Sequence, residues 1–360
     1  MPVKTRSSIK RISYRRRPGR AIHLLAVLVS VMALCLIAAV IWSFIAANDL
    51  MRQPAKPLAN FSSNVLPEYR LISFTSLDEQ TMLSGWFFPA LGNAKGSVNG
   101  NAVGSALGSA FSTVILIHDQ GENRLQFDLA TPAFYRHLTE QGLNVLAFDL
   151  RNSGQSGGDL SSFGYAEWTD VLAAIQYARK NAATTNVLLY GFGTGVAAAM
   201  IAWDQLPPPD ADKKGYPKMI RELDFDQSYI IGLLLDSPAS SPDDYIRAVY
   251  RDGSWIDRNL LRYTVPYAVR LSAGGIGTVS LTALLARCQL PVFIAWNEQD
   301  TTIGAESAQS PVQERIRLHP DLSVIWAGSE PGHIQGFLLE QDAYLAALDQ
   351  YLNRFFVNPR

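Results

Sequence analysis

Solid apolar runs alternate with segments of helical period along most of this chain. Two period-2 stretches, "YRLISFTS" (69–76) and "TMLSGWFF" (81–88), predict a hairpin or two adjacent strands. From Thr113 the alternation changes character. "STVILIHD", "NVLAFDL", "NVLLY", "YIIGLLLDS", "LPVFIAWN" and "LSVIWAG" are continuous apolar runs of strand length. Between them lie amphipathic helices. "TPAFYRHLTEQG" has Thr131 as N-cap, Pro132 in the first turn and Gly142 just past the end. "YAEWTDVLAAIQYARKN" puts Trp168, Val171, Leu172, Ile175 and Ala178 on one face, and "DAYLAALDQYLNRFF" closes the chain. Strands apolar on both sides, separated by such helices, predict an α/β fold with a mostly parallel sheet covered on both faces.

One run breaks this pattern. From Ile22 to Ala47 the chain is apolar except for His23 and two serines. As a helix it is about 39 Å long at ~1.5 Å per residue, enough to cross a ~30 Å hydrocarbon layer with tilt. A cleaved signal has an apolar core of roughly 7–15 residues. The length therefore favours an uncleaved signal anchor over a cleaved signal or a buried core helix. The net charge of −1 splits into +8 over residues 1–20, which hold no acid, and −9 over the rest. Basic flanks stay cytoplasmic. This predicts a cytoplasmic tail (1–21), one transmembrane helix (22–47), a polar tether (48–66) and a domain (67–360) outside the inner or plasma membrane, periplasmic in a diderm bacterium. An acidic folded part argues against nucleic-acid binding. No G-x-x-x-G marks the span for helix pairing, so a scaffold role for the span has no specific support.

Three segments interrupt the domain. Residues 92–112 are Gly/Ser/Ala/Asn-rich and read as a flexible loop. Residues 206–228 are a polar insertion, and 240–289 carry short helical pieces that read as a small lid. Cys35 lies in the span and Cys288 beyond it, so no disulfide is expected. Neither a metal-ligand cluster nor a phosphate-cradling G-x-G-x-x-G is present in the sequence, so no cofactor is implied. The tryptophans at 86, 168, 203, 255, 296 and 326 read as core or lid.

In an open parallel sheet, ligands bind beyond the carboxyl ends of the strands. The turns there read "HDQGENR" (118–124), "DLRNSGQSGG" (149–158), "GFGTG" (191–195), "DSP" (236–238), "NEQDTTI" (297–303) and "GSEPGHIQGF" (328–337). Taken in order, they resemble the α/β-hydrolase superfamily, and most of all the bacterial membrane-anchored serine aminopeptidase and prolyl-oligopeptidase-like branch. The resemblance runs from about Glu68 to the C-terminus. It implies that "GFGTG" is the nucleophile elbow, that Asp300 is the acid and His333 the base, and that the Gln120 and Thr194 amides form the oxyanion hole. The chain departs from the pattern at three places. Gly193 stands where the nucleophile belongs, Asp119 replaces a glycine of the first turn, and Asn152 replaces a glycine of the second.

A triad needs a nucleophile, a histidine and an orienting carboxylate, and glycine has nothing to attack with. Thr194 as a displaced nucleophile, Ser237 from the next strand, and a water activated by His333 and Asp300 are the ways to recover catalysis. The expected function is a membrane-anchored ester, thioester or amide hydrolase with a degenerate elbow, acting on a small acyl substrate. The alternative is a catalytically silent protein that binds a small molecule or a partner outside the membrane. A negative charge at Asp119 opposes an oxyanion and favours the second reading.

Overall fold

The computed structural model describes residues 20–60, 62–91 and 110–357. The basic tail up to residue 19 and most of the expected 92–112 loop lie outside them. An apolar helix, α1 (Arg20–Met51), precedes a hairpin of β1 (Arg70–Thr75) and β2 (Met82–Phe88). Then follow β3 (Ser112–Ile117), α2 (Thr131–Glu140), β4 (Leu143–Phe148), α3 (Trp168–Asn181), β5 (Val187–Phe192) and α4 (Thr194–Gln205). The insertion forms two 3-10 turns and α5 (Lys218–Arg221), with Ile220, Leu223 and Phe225 buried. Next come β6 (Ile230–Asp236), α6 (Pro242–Val249), a π-helical turn (Asp257–Leu261), α7 (Arg262–Ser272), α8 (Leu281–Arg287) and β7 (Val292–Asn297). The chain closes with α9 (Ala305–Leu318), β8 (Ser323–Gly328), α10 (Gly336–Leu339) and α11 (Gln341–Leu352).

The strands form one eight-stranded sheet in the order β1-β2-β4-β3-β5-β6-β7-β8. β1 and β2 pair antiparallel, β2 meets β4 antiparallel, and every later pairing is parallel. The parallel strands β3 to β7 are buried along their whole length apart from one residue of β6, because helices cover both faces. α2, α10 and α11 pack on one face over Phe134, Tyr190, Phe293 and Tyr344. α3, α4, α8 and α9 pack on the other over Ile115, Leu189, Leu233 and Ile294. α8 lay within the expected lid, yet it belongs to this helical layer. A 3-10 turn (Asp128–Ala130) runs straight into α2. Thr131, expected as an N-cap, is therefore the first helical residue, and its hydroxyl accepts from the Phe127 amide at 2.9 Å.

Along α1 the large apolar side chains from Ile22 to Ile41 are exposed, which suits a bilayer, whereas Ser43, Ala47, Leu50 and Met51 are buried against the domain. The expected tether thus begins as helix and stays attached. The Met51 carbonyl accepts from the Ser161 amide (2.9 Å) and from Asn152 Nδ2 (3.1 Å). Lys56 pairs with Glu122 (2.6 Å) and Asp128 (2.9 Å).

Candidate active site

The elbow sits where β5 turns into α4. Gly193 has φ 51° and ψ −116°, backbone that costs a residue with a Cβ of order 1–3 kcal/mol. Its amide donates to the Asp236 carbonyl at 2.9 Å, which ties the turn to the end of β6. Gly195, in the first turn of α4, lies so close to β3 that a methyl group there would collide with the Ile117 carbonyl. The strand-to-helix turn expected of a nucleophile elbow is therefore present at Gly193, with no side chain at its apex.

The space a nucleophile would use is filled. A Cβ on Gly193 would overlap the Asp119 carboxylate and come within 2.9 Å of Ile334 Cδ1. Asp119 Oδ1 accepts from the Thr194 amide at 2.8 Å and from Thr194 Oγ1 at 2.9 Å. The amide of the residue after the nucleophile is the one expected to hold an oxyanion, and here it already holds a carboxylate. The second expected donor, the Gln120 amide, is bonded to Thr194 Oγ1 at 2.7 Å. Thr194 spends its hydroxyl on Asp119 and Gln120, and no hydrogen bond joins it to His333. The cavity left between Asp119, Gln120, Ser161 and Thr194 is ≈ 10 Å³, room for about one water.

His333 and Asp300 come together as the sequence order implied. His333 Nδ1 lies 2.7 Å from Asp300 Oδ2, and both side chains are largely buried. Asp300 Oδ1 accepts from the amides of Thr302 (2.9 Å) and Ile303 (3.1 Å), so the carboxylate is fixed by its own turn. Burial alone would push the His333 imidazole down. The hydrogen bond to Asp300 and the charges of Asp119, Asp300 and Asp236 outweigh it and hold the pKa above its ordinary value. The histidine thus favours its charged form, between carboxylates.

The surrounding side chains brace this arrangement. Ser237 is a structural link: its Oγ accepts from the Ile334 amide (2.9 Å) and donates to Asp236 Oδ1 (3.0 Å). It holds Ile334 at φ 55°, an uncommon conformation for a β-branched residue. Tyr344 donates to Asp236 Oδ2 at 2.7 Å, and burial pushes the Asp236 carboxyl up to about 6. His118 is buried, with the Leu150 amide donating to Nε2 (2.9 Å) and Nδ1 facing the Asp119 carbonyl (2.7 Å). Burial lowers its pKa, so it is a neutral structural histidine. Asp149 is gripped by Arg124 (2.6 Å) and Arg151 by Asp170 (2.7 Å), both beneath the site.

Asn152, the third departure, has φ 54°. Asparagine tolerates this left-handed backbone better than most residues, and its Nδ2 reaches the Met51 and Gln53 carbonyls (3.1 and 3.3 Å) at the end of α1. The sequence carries only a negative charge at Asp119; its contact with the Thr194 amide has no signal there beyond the two departures, at 119 and 193, on turns that meet at one site.

No family model matches the chain, and no curated protein does. Solved structures do. The Pyrococcus furiosus esterase Pf2001 matches with a TM-score of 0.59 at 19% identity, over 84% of this chain and 98% of that one. Est1E from Butyrivibrio proteoclasticus, in a structure with ferulic acid bound, matches with a TM-score of 0.53 at 16% identity, over 78% of this chain and 98% of that one. Identities this low speak for the fold alone. With its mostly parallel eight-stranded sheet, its elbow and these likenesses, the chain has the α/β-hydrolase fold, preceded by one apolar N-terminal helix long enough to span a membrane.

Proposed function

We propose that this protein is a membrane-anchored α/β-hydrolase-fold protein that is silent in acyl transfer and acts by binding outside the cytoplasmic membrane. One observation carries the reading. The Asp119 carboxylate occupies the space of the missing nucleophile and takes the Thr194 amide as its donor. An acyl-transfer transition state needs that donor for its own negative charge, and a resident carboxylate both blocks and repels it. The ≈ 10 Å³ cavity among Asp119, Gln120, Ser161 and Thr194 has room for about one water, so no acyl oxygen fits beside the Thr194 amide while Asp119 holds it.

The His333–Asp300 pair also has an electrostatic role: the hydrogen bond to Asp300 and the nearby carboxylates of Asp119, Asp300 and Asp236 raise the imidazole pKa, so positive charge on the ring is favoured there. The charge split between residues 1–20 and the rest supports an N-terminus in the cytoplasm and a domain outside it.

The test is hydrolysis of short p-nitrophenyl esters and thioesters by the full chain in detergent, beside His333→Ala. The expected result is no turnover above that of His333→Ala. Turnover that disappears in His333→Ala would overturn the reading and assign the histidine to a working water route.

A further inference from the structure

The lid helix carries an aromatic stripe at the level where α1 leaves the bilayer. Counting from Arg20, the stretch to Trp42 is 23 residues, about 34 Å of helix and the thickness of a hydrocarbon layer. The next residue, Ser43, is the first buried against the domain, and its Oγ donates to Thr264 Oγ1 of α7 at 2.6 Å. On the reading of α1 as a membrane span, the exposed apolar run ends at about this level, near Thr264, with Phe44 and Ile45 the last large exposed side chains.

The chain is helical without a break from Trp255 to Ser272. On it Trp255, Tyr263, Tyr267 and Leu271 are exposed, 50 to 70% of each side chain. Tyr263, Tyr267 and Leu271 follow one another at i, i+4 on α7, and Trp255 precedes the π-helical turn (Asp257–Leu261) that leads into it. Tyr263 precedes Thr264, and Tyr267 lies one turn beyond Tyr263. The Tyr267 ring is held from behind by Arg270, whose guanidinium lies 4.4 Å from the ring centroid and is itself buried in an ion pair with Asp243. In water such a stripe exposes apolar surface for no gain. At a headgroup boundary tyrosine and tryptophan are favoured, apolar body inward and polar tip outward.

We propose that the face of the lid formed by Trp255, Tyr263, Tyr267 and Leu271 lies on the lipid headgroup layer, so that the domain sits against the bilayer instead of swinging from a tether. The occupant of this face is the membrane itself, since the contact of Ser43 in α1 with Thr264 in α7 brings α7 to the end of the exposed apolar run. The inference rests on the reading of α1 as a membrane span. Hydrogen bonds from Ser161 and Asn152 to the Met51 carbonyl fix the angle at which the span meets the domain.

The test uses the full chain with Cys35→Ser in phosphatidylcholine vesicles, bimane-labelled at one introduced cysteine: Tyr263→Cys, Tyr267→Cys, Leu28→Cys in α1, or Lys214→Cys. Lys214 lies in the insertion at the opposite end of the sheet, and Cys288 is buried. Labels at 263 and 267 are expected to lose most of their emission to brominated phosphatidylcholine and little to aqueous iodide, as at 28, with 214 the reverse. The difference in native emission between wild type and Trp255→Phe should show the same lipid quenching. Iodide quenching at 263 and 267 with lipid quenching at 28 would overturn the proposal and leave the span standing. Iodide quenching at 28 as well would overturn both.

Discussion

Asp119, Gly193 and His333 make one unit, and a change at any of them is felt at the others. With no side chain at 193, the Asp119 carboxylate takes the vacated volume and bonds to the Thr194 amide and hydroxyl. Asp119→Ala would leave that amide with no acceptor, at a cost of about 1–3 kcal/mol. The same variant removes one of the charges that hold His333 up, so its imidazole pKa should fall, as NMR titration of the ring would show. The raised folded pKa of His333 contributes stability that is fully present below the ordinary value of 6.5 and lost as pH rises through the folded value. Asp236 has the same sign. Its folded value of about 6 lies above the ordinary aspartate value of 3.8, so the folded state binds the proton more tightly, and stability falls by about 3 kcal/mol as pH climbs through that window. Thermal unfolding of Asp236→Asn between pH 4 and 7 should accordingly be flatter than that of wild type. An equal slope would place the titration elsewhere.

Among the elements, the turns after β3 and β4 do more than shape a pocket. Arg124 and Asp149 are both buried and joined by two side-chain hydrogen bonds, at 2.6 and 3.1 Å. Arg124→Met would strand the carboxylate, and such a broken buried pair costs about 3–5 kcal/mol; a chemical denaturation curve reads it directly. Asn152 works on α1. Asn152→Gly restores the residue of the hydrolase pattern and suits φ 54°, but it removes the bonds to the Met51 and Gln53 carbonyls. At about 1 kcal/mol per bond, against a few tenths recovered in backbone strain, the loss wins. The variant should be cut faster by protease between residues 52 and 60, with little change in the global midpoint.

At the scale of the molecule, the sheet was legible because parallel strands buried on both faces must be written as continuous apolar runs. "STVILI", "LNVLAF" and "VLLYGF" admit little else when amphipathic helices separate them. Asp300 and His333 were legible by order and by position after β7 and β8. The filling of the elbow was not, because Asp119 and Gly193 are 74 residues apart and their contact depends on where a side chain turns. Nor was the docking of α1, because nothing in the 22–47 run marks Ser43 and Ala47 as the positions where burial begins, and Leu50 lies just beyond it. The central claim, that Asp119 fills the place of the nucleophile, is tested most directly by paired substitution. Gly193→Ser alone should stay inert to p-nitrophenyl acetate and to a fluorophosphonate probe, because its Cβ meets the Asp119 carboxylate. Gly193→Ser with Asp119→Gly should gain ester turnover and a phosphonyl adduct at position 193, since the second change frees the Thr194 amide and the His333–Asp300 pair is already formed. Activity in the single variant equal to that in the double would contradict the account, because Asp119 would then obstruct nothing.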